Sequence, residues 1–331
     1  VLPLRTTPRP SALVWQDGLL YYSDPFGDPR GILALPDTGG TATQVVDDGG
    51  IGLWVESDRV LFARDDQLYA APIAGGPSEL LADGHTFGPD AKTYHSVYTE
   101  VLDDSDLYWE ANEYIEEPQS KISEIWNVWR MPRTGGEPEK LGTIPHEVNF
   151  PLTMIALADQ LLVAESERRA YTLPKSGGPL LELPSVEGST FLGMGPRGVL
   201  WHVEKRSSDG VVESDEVVLS KPTGGKPVQL WKQMPAGVLP GAAWPAPDGG
   251  WVVTAQEEFS DGKRHMSAWS LDTDGNGTRL GCDPVEDDWA DALIGSSAAL
   301  SDDAAYIIVT YDHHGPDAGS TFGWKIVRVQ R

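Results

Sequence analysis

Histidine and carboxylate side chains are the residues of this chain that would move protons or hold a metal. Imidazole titrates near neutral pH and is a common ligand for transition metals. Of the seven histidines, His146, His202, His265, His313 and His314 stand near strand ends or in long connecting segments. Glu110, Glu165 and Glu204 close apolar strands in the same way. Together they would supply nitrogen and oxygen donors for a divalent metal, or a base for proton transfer. The densest element is Tyr311-Asp312-His313-His314-Gly315-Pro316-Asp317. If it is extended, neighbouring side chains point to opposite faces, so only one of His313 and His314 would look into a shared site.

A second candidate is Asp272-Thr273-Asp274-Gly275-Asn276-Gly277, which has the ligand spacing of the first half of a Ca²⁺ loop. Asp283 stands at the usual last-ligand position. Strand-forming residues rather than helical ones flank it, and the competing reading is a tight turn. Trp244 and Trp289 begin or precede apolar strands and would give a stacking surface for a sugar if they face a mouth, or packing if they do not. Several chemistries are absent. There is no G-x-S-x-G elbow, no second His after His146-Glu147, no phosphate-binding glycine motif leading into a helix, and no base near the single Cys282 in sequence.

These residues hang on a repeat. An apolar strand ends in Pro or a small residue, reaches Gly-Gly, and starts again. The copies include Leu68-Tyr69-Ala70-Ala71-Pro72-Ile73-Ala74-Gly75-Gly76 and Val128-Trp129-Arg130-Met131-Pro132-Arg133-Thr134-Gly135-Gly136. A regular period in an all-strand sequence means stacked or circular β-modules. Each unit reads as four strands, a to d, with short a–b and c–d turns. Seven b strands are legible: Leu19–Asp24, Val60–Asp65, Leu107–Glu110, Leu161–Glu165, Val199–Glu204, Trp251–Glu257 and Ala305–Asp312. The reading is an all-β, seven-bladed β-propeller, with one domain over residues 1–331; a six-bladed ring is the alternative. The last unit ends at strand c, Trp324–Val329, so Val1-Leu2-Pro3-Leu4-Arg5 is expected to pair beside it and close the ring. The d–a and b–c connections are long and irregular and share one rim, the top, which is where binding function is expected.

At Tyr21-Tyr22-Ser23-Asp24 the chain resembles the YWTD-type repeat, and Gly-Gly after strand c is common in secreted bacterial propellers of that broad type. The resemblance implies a propeller and an extracytoplasmic binding role. It carries no catalytic residue.

Composition narrows the partners. The 331 residues hold 50 acidic and 25 basic side chains, a formal charge of −25. That argues against nucleic acid, whose phosphates require Lys and Arg, and leaves small-molecule, glycan or protein ligands. No apolar run is long enough for a membrane helix. One cysteine forms no intrachain disulfide, and the Pro-rich start at Val1 reads as a processed end, so an extracellular or periplasmic location is expected. The functional expectation is a binding protein with its ligand at the top mouth of the channel. The alternative is a hydrolase or lyase that uses a divalent metal, Ca²⁺ or a His-bound transition metal, at the same mouth.

Overall fold

The computed structural model describes residues 12–24, 30–47, 50–64, 67–83, 94–116, 122–145, 153–164, 169–184, 186, 188–206, 212–258, 264–283, 291–293, 298–315 and 319–331. Among them there is no helix, and seven four-stranded antiparallel sheets follow one another along the chain. Blade 1 holds β1 (Leu13–Gln16), β2 (Leu19–Asp24), β3 (Gly31–Pro36) and β4 (Thr43–Val46). Blade 2 holds β5 (Ile51–Val55), β6 (Arg59–Arg64), β7 (Gln67–Pro72) and β8 (Glu79–Asp83). Blade 3 holds β9 (Tyr94–Leu102), β10 (Asp106–Glu116), β11 (Ile122–Pro132) and β12 (Glu139–Ile144). Blade 4 holds β13 (Thr153–Ala156), β14 (Gln160–Ala164), β15 (Ala170–Pro174) and β16 (Leu181–Glu182). Blade 5 holds β17 (Ser189–Gly195), β18 (Gly198–Arg206), β19 (Val212–Ser220) and β20 (Val228–Trp231). Blade 6 holds β21 (Val238–Pro245), β22 (Trp251–Glu258), β23 (Arg264–Leu271) and β24 (Gly277–Asp283). The seven-bladed propeller therefore stands, and the six-bladed alternative does not.

Blade 7 reaches four strands by a different route. Its inner strand is split into β25 (Asp291–Leu293) and β26 (Ala298–Leu300), and both pair with the same edge of β27 (Ala304–Gly315). On the other edge, β27 pairs with β28 (Gly319–Gln330) along its whole length. The expected outer partner of β28, Val1-Leu2-Pro3-Leu4-Arg5, lies outside the described residues.

The core is distributed over the seams. Each sheet alternates apolar side chains to both faces, and each face is covered by the next blade, so there are seven buried clusters, one per seam. Tryptophans fill several: Trp109 between blades 2 and 3, Trp126 between 3 and 4, Trp201 between 4 and 5, and Trp231 with Trp251 between 5 and 6. Between blades 7 and 1, Trp324 meets Tyr22 edge-on at 5.9 Å, inside a cluster that joins Leu13, Leu20 and Leu33 to Tyr306, Ile308 and Ile326. Blade 1 thus packs on blade 7, although some 300 residues of chain separate them. The inner strands approach closely as well. A Cβ on Gly193 would lie 1.9 Å from the carbonyl oxygen of Ala243, so that position admits only glycine. The c–d turns need positive φ, which Gly135 (84°) and Gly136 (143°) supply.

On the bottom rim, the residue after strand c reaches the a–b turn of the preceding blade. Arg133 binds Glu56 through Nε at 3.0 Å, Lys175 Nζ lies 2.6 Å from Asp103, and Arg331 lies 2.6 Å from Asp248. These are charged latches across the seams between blades 2 and 3, 3 and 4, and 6 and 7. Burial pushes the Asp103 carboxyl up. Hydrogen bonds from Lys175, from the Asp106 and Ser105 amides and from the Tyr108 hydroxyl outweigh it and hold the group well below the usual carboxylate range. A depressed folded value makes the latch fully stabilising above the unfolded carboxylate value of about 4, and its contribution fades as the pH falls below that. Asp103→Asn is therefore expected to lower the melting temperature by about 2–4 °C at pH 7, with the gap to the parent protein narrowing toward pH 3. Calorimetry at both pH values checks this; a gap that is constant with pH would show that the ion pair is not the cause.

Candidate functional site

Blade height sets the shape of the top rim. Measured from the bottom turns, β10 and β11 run for 11 residues each and β27 and β28 for 12, whereas β14 and β15 have five. At about 3.3 Å per residue, the paired strands of blade 3 are about 20 Å longer than those of blade 4. Blades 5 and 6 are intermediate, with b strands of nine and eight residues.

The candidate site is the top end of the seam between blades 5 and 6. Its floor is the apolar cluster of Leu200, Val217, Ala255 and Trp269. His202 follows Leu200 by two residues on β18 and so faces the same seam; it is buried, with 7% of its surface exposed. Its Nε2 lies 3.0 Å from Oδ1 of Asp215 on β19. Asp215 is the direct ladder partner of Glu204. Two carboxylates opposite each other on a sheet repel, and the imidazole one step below gives Asp215 a hydrogen-bonding partner. Pairing through Nε2 orients the ring and leaves Nδ1 to meet a ligand. Across the seam, Glu257 on β22 accepts from the Trp269 indole N–H at 3.0 Å and from Arg279 at 2.8 Å. That carboxylate is fixed by its own blade. His202 stands two residues beyond Leu200 on blade 5 and Glu257 two residues beyond Ala255 on blade 6, so both lie just above the apolar cluster of this seam. Imidazole and carboxylate at such a place can bind a polar ligand or exchange a proton with it.

The remaining predicted residues divide as follows. His265 is the ladder partner of Glu257, and His313 and His314 pair with Thr321 and Ser320 near the top of blade 7; only their backbone lies within the description. His146, Glu165 and Trp289 lie outside the described residues. Glu110 is 1% exposed and faces blade 4 beside Trp126 and Val128, which places it within a seam rather than at an open mouth. Trp244 is the second-last residue of β21, one step from the a–b turn. It therefore stands at the bottom end of blade 6, not at the top, because β21 begins as early as Val238. Asp215 was missed in the sequence because it becomes a partner of His202 only through the register of the 206–212 hairpin.

The Ca²⁺-like segment is a c–d turn held by its own bonds. Asp272 Oδ1 accepts from the amides of Asp274 at 2.9 Å and Asn276 at 2.8 Å, and Oδ2 accepts from the Asn276 side chain at 2.8 Å. Asp283 ends the seven-residue β24, about 20 Å of extended chain away, so it does not close a loop with Asp272. Among the described residues no group of three or more His, Cys, Asp or Glu side chains is placed to hold a metal.

No protein-family model matches the chain, and no curated protein matches it. Solved structures do. Oligogalacturonate lyase from Vibrio parahaemolyticus aligns at 11% identity over 93% of this chain and 86% of that one, with a TM-score of 0.61. Oligogalacturonate lyase in complex with manganese aligns at 11% identity over 94% and 85%, with a TM-score of 0.60. The β-propeller domain of the Trilobed protease from Pyrococcus furiosus, described as having an open velcro topology, aligns at 12% identity over 97% and 96%, with a TM-score of 0.54. At these identities the likeness establishes the fold, a seven-bladed β-propeller, and nothing finer. The YWTD-type repeat has no family match behind it.

If Asp272 serves only the turn, Asp272→Ala should lower the melting temperature by about 2 °C, through loss of the hydrogen bonds that fix the turn. The drop should be equal in EDTA and in millimolar Ca²⁺. A drop seen only with Ca²⁺ would make the turn a metal site.

Proposed function

We propose that this propeller is an extracytoplasmic binding protein whose ligand sits on the top rim at the seam between blades 5 and 6. The observation that carries the reading is the His202–Asp215 pair, a buried imidazole bonded at 3.0 Å to a carboxylate at the polar end of an apolar seam. The ligand class is a neutral or basic saccharide. Hydroxyl groups suit the mixture of imidazole, carboxylate and indole there, and a net charge of −25 opposes polyanions. The crossing into blade 7 carries Glu286, Asp287 and Asp288 with no basic residue between them, which works in the same direction.

A metal-dependent lyase is the second reading, favoured by one observation: a manganese complex of oligogalacturonate lyase shares the fold. The described residues do not assemble a metal centre, so no chemical step is drawn through one. Metal analysis of protein purified without chelators separates the two readings. Stoichiometric manganese would favour the lyase.

Calorimetric titration with neutral, amino-sugar and uronate oligosaccharides tests the binding reading. Neutral or basic oligomers should saturate the protein with a change in tryptophan fluorescence, and His202→Ala and Asp215→Asn should each weaken binding about tenfold, as loss of a buried polar contact does. Preference for the uronate oligomer, or indifference to both substitutions, would overturn the proposal.

A further inference from the structure

The repeat lets each seam be compared with the others inside one molecule. Tyr108 and Arg130 are ladder partners in blade 3, and Tyr306 and Arg328 are ladder partners in blade 7. The bottom turns share backbone hydrogen bonds at corresponding positions. The amide of Asp103 binds the Asp106 carbonyl and that of Ser301 binds the Ala304 carbonyl; the amide of Lys175 binds the Asp159 carbonyl and that of Asp37 binds the Gly18 carbonyl. Hence Ser301 stands where blade 3 has Asp103, and Asp37 stands where blade 4 has Lys175.

At the seam between blades 3 and 4, the Lys175 ammonium occupies the space over the Tyr108 ring, 5.6 Å from its centroid, and binds Asp103. Between blades 7 and 1 both partners are exchanged. The lysine is replaced by a carboxylate and the acid by a serine, so no side chain at these positions brings an ammonium into the space. A cavity of about 400 Å³ lies here. Leu20, Leu35 and Ile326 form its apolar wall, and Asp37, Tyr306 and Arg328 its polar one. Asp37 Oδ2 accepts from the Trp15 indole at 3.1 Å and from the Tyr306 hydroxyl at 3.2 Å, which leaves Oδ1 for another donor. Arg328 donates from Nη2 to Asp303 at 2.9 Å, from Nη1 to the Gln330 side-chain oxygen at 3.2 Å and from Nε to the Tyr306 hydroxyl at 3.3 Å, which leaves one N–H on each Nη for a further acceptor on a side chain that is 41% exposed.

The geometry points to a binding site for a small zwitterion, an amino acid with an apolar side chain. Its ammonium takes the place of the Lys175 ammonium and meets Asp37, its carboxylate meets Arg328, and its side chain lies on Leu20, Leu35 and Ile326. A carboxylate and a guanidinium bracketing an apolar floor select both charges of the ligand together. The site is on the rim opposite the His202–Asp215 pair and does not rest on the function proposed there.

Titration calorimetry with L-leucine, L-leucinamide and N-acetyl-L-leucine tests the site. Leucine should bind saturably, with leucinamide, which lacks the carboxylate, and N-acetyl-leucine, which lacks the ammonium, each weaker by about tenfold or more. Asp37→Asn and Arg328→Gln should each weaken leucine to the same extent, while His202→Ala leaves it unchanged. Because a substitution here could also disturb the seam, a second variant combines Asp37→Lys with Ser301→Asp and rebuilds the latch of blades 3 and 4. It should abolish leucine binding while melting at or above the parent temperature. Absence of saturable leucine binding, equal binding of all three probes, or leucine binding retained by the rebuilt latch would overturn the assignment.

Discussion

A β-sheet has two faces, and in this ring the only cover available to each face is the neighbouring sheet. Everything else follows from that constraint. Apolar residues must alternate to both sides of every blade, and seven seam clusters result instead of one central core. Fully buried aromatic residues such as Trp109, Trp201, Trp324 and Tyr306 supply the bulk that holds neighbouring sheets at packing distance. The closing seam is built like the rest. Tyr22 and Trp324 meet across it, and Tyr108, Trp126 and Tyr171 share the buried cluster between blades 3 and 4.

Because the seams share a plan, their differences carry the chemistry. Among the described residues the bottom rim repeats a cation-to-acid latch at three seams, and where blade 7 meets blade 1 the two positions hold Ser301 and Asp37 instead. The top rim is varied by strand length, so that blades 3 and 7 stand well above blades 1, 2 and 4. Buried polar pairs such as His202 and Asp215 then fall at the ends of seams, where apolar packing gives way to solvent. A functional group at such a place gains a rigid floor without interrupting the core.

The repeat made most of the fold legible in the sequence. The expected strand Leu19–Asp24 is β2 residue for residue, and Trp251–Glu257 falls one residue short of β22, because turn residues and strand period agree at both ends. The split of the inner strand into β25 and β26 was not legible, since each piece has only three residues, too short to show a strand period on either side of Gly295-Ser296-Ser297. Side-chain partners were the least legible. Lys175 and Asp103 are 72 positions apart, Arg133 and Glu56 are 77, and no local pattern links them. His202 was visible as a candidate and Asp215 was not, because ladder register across a hairpin decides that pairing. Trp244 was placed at the wrong end of its blade for a related reason: its distance from the rim depends on where β21 begins. The rest of the expected histidine cluster turns on His146, outside the described residues, and on His265, His313 and His314, known here by backbone alone.

The ring is closed by apolar packing, and the seam between blades 7 and 1 has a buried cluster like the six others. Native-state hydrogen–deuterium exchange measures it directly, because amides in strands flanking an open seam exchange by local opening and those in a closed ring exchange only through large-scale unfolding. Amides of β2 and β27, which flank the closing seam, should be protected to within about tenfold of those of β10 and β18, which flank interior seams. Rapid exchange confined to β2 and β27 would contradict the account and show a ring that opens between its first and last blades.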